Sequence, residues 1–413
     1  MIPFRYIATG LLGAACLSLQ AQEKALTVEQ CVNQALENSL LVKSGQLAVG
    51  KSRDLQKTAF ELEKTSISFS QDLTSGGGPD NGITLSQGFD YPTVYKARRS
   101  YLEAETTVAS SQIDVVRNEL VKGVSENYYA WVHARHTIAI LQKQDSIYRQ
   151  FVQLATARYN AGETNYLELM NAQRLQNENN MELQKAQKSC KTFLFNLQQL
   201  MNSEAEFVPA DTTLAPLPTD QVRTTTFSET PLGRNYQARI ASSERNVTLA
   251  KQDFMPSFSV GLTLQAVITG LNPYNVDRSW FDKGALMSFE IGVSVPLFRG
   301  SQRAKVRAAR KDVEIAKNER LIAEQQLSAS RREAYNQYQR AKQTLDYYTT
   351  QGIAQAQRMA ELAQVEYEHG EIGYVEFMQN QTSALDVQIR YADAVNEYNQ
   401  AIINLNYING NNK

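Results

Sequence analysis

Two long stretches without proline constrain the fold of this chain more than any other feature of its sequence. The 413 residues include ten prolines, yet none lies within 93–208 or within 297–413. These stretches are 116 and 117 residues long and together exceed half of the chain. A proline inside a helix costs about 3 kcal/mol, so long segments that lack it favour long helices. Because the two stretches are nearly equal in length, they also indicate one helical unit that occurs twice.

A short pattern present in both stretches supports an internal duplication. Residues 154–170 and 362–378 agree at eight of 17 positions when they are aligned at an offset of 208. Upstream, Pro92 corresponds to Pro296 at an offset of 204. Two matches at nearly the same offset are typical of a repeat. We expect Pro92 and Pro296 each to mark a junction, where a strand ends and a helix with a basic start opens.

Small and apolar residues recur at spacings of three and four within both stretches, a period typical of coiled coils. The first series is Ile113, Val116, Leu120, Gly123, Asn127, Ala130, Ala134, Thr137 and Leu141. The second is Val306, Ala309, Val313, Ala316, Arg320, Ala323 and Leu327. A sustained 3.5-residue repeat predicts helices that pack side by side over a long distance. The small residues suit a layer that is one helix thick, because they let backbones approach closely while the other face meets water.

Two glycines predict where the long helices end. A helix over 95–159 would be about 98 Å long, and one over 299–367 about 100 Å. Gly162 and Gly370 follow these segments and are expected to stop them, since glycine is preferred just past a helix C-terminus. Shorter return helices are expected over 164–202 and 374–406.

Four segments alternate large apolar residues with small polar ones, as strands with one apolar face do. They cover 67–73, 83–91, 258–268 and 287–295. Strands of about 9–11 residues can cross a membrane at a tilt. Four strands cannot close a barrel, because about eight are needed. The strands therefore come from several subunits, or the hairpins are the edges of a soluble sheet.

The N-terminus has the pattern of a secretory signal peptide. Arg5 precedes a short apolar stretch over 7–19, and Ala21 stands at the expected cleavage point. Lipidation of Cys16 is the alternative. An exported chain would retain Cys31 and Cys190, for which we expect two buried thiols rather than a disulfide.

Composition narrows the class of function. Lys and Arg number 42 and Asp and Glu 43, so no overall field favours nucleic acid as a partner. A mean hydropathy of −0.41 argues against a helical membrane protein. The sequence has no nucleotide-binding loop, nucleophile elbow or Cys-x-x-Cys, so we expect no enzyme and no cofactor. His133 and His136 have a spacing that can hold a metal, although surface imidazoles are the preferred interpretation, and we expect no metal site.

Three sets of residues, in this order and duplicated, resemble the TolC-like outer membrane efflux proteins. They are the opening helix at 26–39, the Val-Pro-Leu-Phe-Arg-Gly segment at 295–300, and the Tyr-x-x-Gly motifs at the ends of both long helices. The resemblance covers essentially the whole mature chain. It implies a mainly α fold with a small β part, in which a helical coiled-coil tunnel continues a β-barrel that trimerisation completes.

The resemblance also implies a domain plan. The signal peptide would span 1–21, the first repeat 22–208 with its hairpin at about 64–92, a linker 209–230, and the second repeat 231–413 with its hairpin at about 256–296. Each repeat would hold a short helix, the hairpin, a long helix and a return helix. Segments 22–62, 203–256 and 409–413 would form a belt around the middle of the tunnel.

Acidic residues line the periplasmic constriction in such proteins. Glu168 and Glu376, six residues beyond the glycines, hold the corresponding positions. Rings of carboxylates favour cations in a narrow pore. The alternative is that glutamate is simply favoured in the first turn of a helix, near its positive end. Gln379 stands where a second acidic ring is found in relatives.

The resemblance further implies a gate at the ends of the long helices. Tyr159 and Tyr367 match tyrosines that hold the gate by hydrogen bonds between helices. Gly162, Gly370 and their neighbours would contact the periplasmic adaptor. Ile372 replaces a gating arginine of well-known members, which implies a weaker or differently locked gate.

The expected function is that of an outer membrane channel subunit in a Gram-negative bacterium. It would form a homotrimeric exit duct for a tripartite efflux or type I secretion system. Its partners would be outer membrane lipid, a periplasmic adaptor and an inner-membrane pump, with the resistance-nodulation-division class preferred. The alternative is a periplasmic or surface coiled-coil protein, structural or adaptor, without a pore. Because selectivity lies mostly in the pump, the sequence does not identify the exported substrate.

Overall fold

The computed structural model describes residues 24–72, 80–219, 225–267 and 286–411. Helices dominate these ranges, which confirms the mainly α fold. The helices are α1 (Val28–Asn38), α2 (Leu40–Gln56), α3 (Pro92–Asn160), α4 (Tyr166–Met201), α5 (Pro231–Lys251), α6 (Gly300–Tyr347), α7 (Ile353–Glu368) and α8 (Tyr374–Asn409). The strands are β1 (Lys24–Leu26), β2 (Ser66–Asp72), β3 (Asp80–Asp90), β4 (Phe207–Pro209), β5 (Ser257–Val267) and β6 (Leu286–Ser294). The expected signal peptide, Cys16 and the end of the second hairpin's first strand at 268 lie outside the described residues.

Helix α3 is one uninterrupted helix of 69 residues. At 1.5 Å per residue it is about 104 Å long. It starts with Pro92 as its first residue, where the missing N–H costs nothing because that group has no partner inside the helix. Just before the helix, the N–H of Asp90 donates to the Tyr95 hydroxyl at 2.9 Å. This bond joins the end of the strand to the first turn of the helix.

The corresponding helix of the second repeat differs from the single helix that the sequence predicts. A π-helical turn over Tyr348–Gly352 separates α6 from α7. The hydroxyl of Thr349 donates to the carbonyl of Leu345, and that of Thr350 donates to the carbonyl of Asp346. Such bonds compete with the backbone ladder and bend helices. The same bonds occur at Thr106 and Thr156 inside the uninterrupted α3, so they accompany this turn and do not by themselves account for it.

Strands β2, β3, β5 and β6 form one antiparallel sheet in that order. The register places Ile67 opposite Leu85, Leu85 opposite Leu262 and Leu262 opposite Phe289, so all four share one face. The next row joins Ser66, Ser86, Gly261 and Glu290 on the other face. The alternation predicted for each strand thus becomes an apolar and a polar face across the whole sheet.

The small-residue series lies along the buried sides of the helices, as its spacing predicts. Ala309, Ala316 and Ala323 repeat every seven residues and are all buried. These alanines let α6 approach its neighbours closely. The short strands β1 and β4 pair in parallel and tie the start of the chain to the segment after α4.

Cys31 and Cys190 are free thiols in the structure, so no disulfide joins them. Cys31 is buried, whereas Cys190 is half-buried against the same cluster of side chains. Burial raises the pKa of Cys31 to about 11, so this thiol stays protonated. None of the helices in the described ranges is both long and apolar enough to cross a membrane.

Candidate functional site

The ends of α3 and α7 have the same geometry. Gly162 and Gly370 both have a φ of +75°, a left-handed conformation that favours glycine. The N–H of Gly162 donates to the Tyr159 carbonyl at 3.0 Å, and that of Gly370 to the Tyr367 carbonyl at 3.1 Å. The next N–H in each turn bonds one residue further back, which completes a Schellman motif at both ends. We call these two turns, 161–165 and 369–373, the tips.

Aromatic side chains from both repeats pack the two tips together. Tyr374 at the start of α8 is buried, and its hydroxyl donates to the Phe151 carbonyl on α3 at 2.6 Å. Tyr367 stacks on Phe377, with ring centres 4.7 Å apart. The cluster also includes Tyr148, Ala155, Leu169, Ala172, Ala363 and Met378. The ends of α3, α4, α7 and α8 therefore form one packed unit.

Glu168 is held inside the first tip. Only 9% of the residue is exposed, and Oε1 lies 2.9 Å from Nη1 of Arg158. The Thr164 hydroxyl donates to the other carboxylate oxygen. The backbone N–H of Glu168 donates to Oδ1 of Asn165, which caps the helix. Both carboxylate oxygens thus have partners within the same chain.

Glu376, the counterpart of Glu168, has a different environment. At the same offset of 208, Glu366 stands in place of Arg158 and Ile372 in place of Thr164. Ile372 packs on the tip cluster and cannot donate a hydrogen bond. Glu376 is exposed, and no ion pair involves it in the described part of the chain. Gln379, one turn further along α8, is also exposed.

The tip tyrosines differ between the repeats in the opposite sense, because those of the first repeat are exposed and those of the second are more buried. Tyr159 is exposed, and its ring lies 5.6 Å from the exposed Tyr166. Tyr367 is half-buried and Tyr374 is buried. Burial, with the nearby Glu168 charge as a smaller cause, raises the pKa of Tyr374 well above its ordinary value, so this hydroxyl remains a donor.

The two expected proline junctions are not equivalent. Pro92 begins α3 directly after the strand, with only Tyr91 between them. Pro296 lies in a loop of five residues, 295–299, and α6 begins four residues after it. The expectation that Pro296 opens the helix is therefore wrong. The four extra residues account for the change of offset from 204 to 208 along the chain.

Sequence reasoning missed Arg158 and Thr164, which hold Glu168 in place. The signal was present in the aligned windows, where these positions carry Glu366 and Ile372 in the second repeat. The residues that are identical in the two windows locate the tips, whereas the positions that differ determine which carboxylate is paired. Glu168 has an arginine as its partner and is stabilised inside the protein. Glu376, for which the equivalent position carries Glu366, lies in solvent.

The pair of histidines on α3 is engaged with a neighbouring helix. Nε2 of His133 lies 2.9 Å from Oδ1 of Asp393 on α8. His136 is half-buried one turn away. Across the described ranges no three possible metal-binding side chains cluster together.

Solved structures with the same fold include outer membrane proteins and transmembrane channels. CusC, described as forming a transmembrane channel, is 17% identical with a TM-score of 0.74, and the match covers 94% of this chain and 93% of that one. VceC, an outer membrane protein of Vibrio cholerae, is 13% identical with a TM-score of 0.75 and coverage of 93% and 96%. The MtrE outer membrane channel of Neisseria gonorrhoeae, in its open state, is 16% identical with a TM-score of 0.70 and coverage of 93% and 88%.

A comparison with curated protein sequences finds no significant match. The family model for outer membrane efflux proteins, however, matches residues 32–203 and 231–411, one segment for each repeat. The family and the fold are those of transport channels rather than of enzymes, and they favour a channel over a coiled-coil protein without a pore. The chain belongs to the outer membrane efflux protein family and is a channel subunit of an efflux system in the outer membrane of a Gram-negative bacterium.

Proposed function

We propose that three copies of this chain form one exit duct through the outer membrane and the periplasm. The observation that carries the proposal is the open four-stranded sheet. In the described part of the chain, β2 pairs only with β3 and β6 only with β5. Unpaired edges of this kind bind further strands. Three sheets joined edge to edge would give twelve strands, an even number within the range of membrane barrels.

The two faces of the sheet support this arrangement. Ile67, Phe69 and Phe289 are largely exposed on the apolar face, which would meet lipid. Ser66, Ser86 and Glu290 lie on the opposite face, which would line water. Because each sheet runs into helices of about 100 Å, the barrel would continue as a helical tunnel across the periplasm.

The tips would form the periplasmic end of this tunnel. We assign the constriction to Glu376 and Gln379, because both are exposed, and we assign Glu168 to the wall, because Arg158 and Thr164 occupy its carboxylate. Tyr159 and Tyr367 would take part in the gate. The turns at Gly162 and Gly370 would contact a periplasmic adaptor.

The adaptor would connect the duct to an inner-membrane pump that supplies the energy. We assign the pump to the resistance-nodulation-division class, because each tip is a compact turn of only five residues, 161–165 and 369–373. The division into a first repeat (22–208), a linker (209–230) and a second repeat (231–413) is supported by the order of the elements and by the two matched family segments.

The test is to purify the chain from the outer membrane fraction and to measure its assembly and conductance. A heat-sensitive trimer that conducts ions across a planar bilayer is expected. A soluble chain without conductance would contradict the duct and support the pore-less coiled coil.

Cysteine crosslinking tests the adaptor contact. Glu163→Cys and Glu371→Cys place thiols on the two tips, whereas Ser328→Cys places one on the exposed side of α6, far from the tips. Crosslinks to the adaptor are expected from the tip variants and not from Ser328→Cys. Crosslinks from Ser328→Cys alone would overturn docking at the tips.

A further inference from the structure

The loop between β6 and α6 differs from its counterpart in the first repeat. Five residues, 295–299, separate this strand from its helix, whereas Tyr91 alone separates β3 from α3. The extra residues include Leu297 and Phe298, which are 81% and 91% exposed. No other large apolar side chain in the described ranges is as exposed as these two.

Leu297 lies in a bend that directly follows the exposed apolar row of the last strand. Exposed apolar residues occupy every second position from Phe289 through Ile291, Val293 and Val295 to Leu297. The strand itself ends at Ser294. A neighbouring copy would pair with β6 through backbone groups in the plane of the sheet, and this pairing leaves the face perpendicular to it uncovered. Leu297 and Phe298 therefore lie within four residues of the end of the strand, exposed at the same end of the sheet.

Positive charge follows directly after this apolar pair. Arg299 and Arg303 are exposed, and neither forms an ion pair within the part of the chain that the structure describes. Four residues apart, they lie on the same side of the start of α6. Apolar and aromatic side chains beside unpaired cations match the boundary between acyl chains and phosphates in a membrane.

We propose that 295–299 is a second membrane anchor, at the periplasmic leaflet of the outer membrane. Leu297 and Phe298 insert between acyl chains at the level of the headgroups, and Arg299 and Arg303 bind phosphates of anionic phospholipids. The inference rests on the proposed duct, in which the strands cross the membrane. It goes further because only the second repeat provides the anchor, so each copy contributes one.

Tryptophan quenching by brominated phospholipids tests the insertion. The full chain is reconstituted into vesicles of phosphatidylethanolamine and phosphatidylglycerol with and without bromine on the acyl chains. Phe298→Trp reports on the loop, Phe289→Trp on the middle of the strand, and Ile315→Trp on α6, about 22 Å beyond Gly300. The parent protein provides the background from its two native tryptophans.

Each outcome separates the anchor from the duct. Loss of emission is expected for Phe298→Trp and Phe289→Trp and not for Ile315→Trp. Quenching at Phe289→Trp without quenching at Phe298→Trp would overturn the anchor and leave the duct intact. Absence of quenching at Phe289→Trp would instead contradict insertion of the sheet itself. Each variant is first checked for the heat-sensitive trimer.

The arginines are tested by the lipid that the protein retains. Trimers are extracted in mild detergent, and bound phosphatidylglycerol is identified by native mass spectrometry. The double variant Arg299→Gln/Arg303→Gln is expected to lose most of this lipid. The matched control Arg332→Gln/Arg340→Gln, with two exposed arginines further along α6, is expected to retain it. Equal retention in both variants would overturn the phosphate contact.

Discussion

Arg158 and Glu168 form an ion pair across the first tip, with Nη1 2.9 Å from Oε1. The same guanidinium lies over the ring of Tyr374, with its central carbon 5.6 Å from the ring centre. Tyr374 belongs to the second repeat, so Arg158 links the two tips of one chain. Position 372, on the second tip, carries isoleucine, so the guanidinium beside Tyr374 comes from the first repeat.

Replacing this arginine should loosen the first tip. In Arg158→Gln, the mostly buried Glu168 loses a charged hydrogen bond. This loss should reduce the local stability of the tip by about 2 kcal/mol. Hydrogen exchange across 158–170 should become faster, and the conductance of the trimer should rise. A double-mutant cycle with Glu168→Gln measures the coupling. If the two single effects simply add, the pair does not hold the tip.

Ion selectivity should depend on one glutamate of the repeat and not on the other. Glu376→Gln removes an exposed carboxylate and should lower cation selectivity, read as a smaller reversal potential in a salt gradient. Glu168→Gln is the matched control, because its carboxylate is already paired. Gln379→Glu should shift the potential in the opposite direction. A larger effect from Glu168→Gln than from Glu376→Gln would place the constriction elsewhere.

Adding a side chain at either left-handed tip glycine should destabilise its turn. Gly162→Ala and Gly370→Ala force a Cβ into the left-handed region at a cost of about 1 kcal/mol each. Gly373→Ala is the control, since Gly373 lies in the same tip with a φ of −78° and open space around it. Adaptor crosslinking and tip proteolysis should change only in the first two variants. An equal response in Gly373→Ala would mean that size, not backbone conformation, matters.

The buried tyrosine should contribute more to the tip than its exposed counterpart. Tyr374→Phe removes the hydrogen bond to the Phe151 carbonyl and should cost about 1 kcal/mol. Tyr166→Phe changes the equivalent residue of the first repeat, which is 55% exposed. Hydrogen exchange in 151–155 should accelerate only in Tyr374→Phe. Similar rates in both variants would show that packing alone joins the tips.

Acid should destabilise the folded chain through His136. Burial, and to a lesser extent the nearby His133, lowers the pKa of His136 below its ordinary value of 6.5. The unfolded chain therefore binds the proton more readily, so stability is constant above pH 6.5 and falls as the pH drops toward the lowered pKa. The midpoint temperature of unfolding should fall less with acidification in His136→Gln than in the parent. Identical pH profiles would exclude His136 as the cause.

Short-range patterns in the sequence predicted the local structure of this chain. The absence of proline, the period of 3.5 and the two glycines placed the long helices and their ends, because helix propensity and left-handed turns depend on a few adjacent residues. Alternation placed the strands for the same reason, since successive side chains point to opposite faces. The resemblance to a family then supplied the assembly, which no local pattern contains.

The sequence by itself determined the two repeats, the strands of their hairpins, the ends of the long helices and the position of the tips, but not the π-helical turn within the second repeat. Only the tertiary structure decided that Glu168 is paired and Glu376 is not, because the pairing requires Arg158 at the end of α3 to reach across the five-residue tip to the start of α4. The loop at 295–299 is a second example. The match between Pro296 and Pro92 did not show that the second helix begins four residues after its proline. The partners of Glu168 come from the end of α3 and from the tip, and they meet its carboxylate only once α3 and α4 have packed against each other.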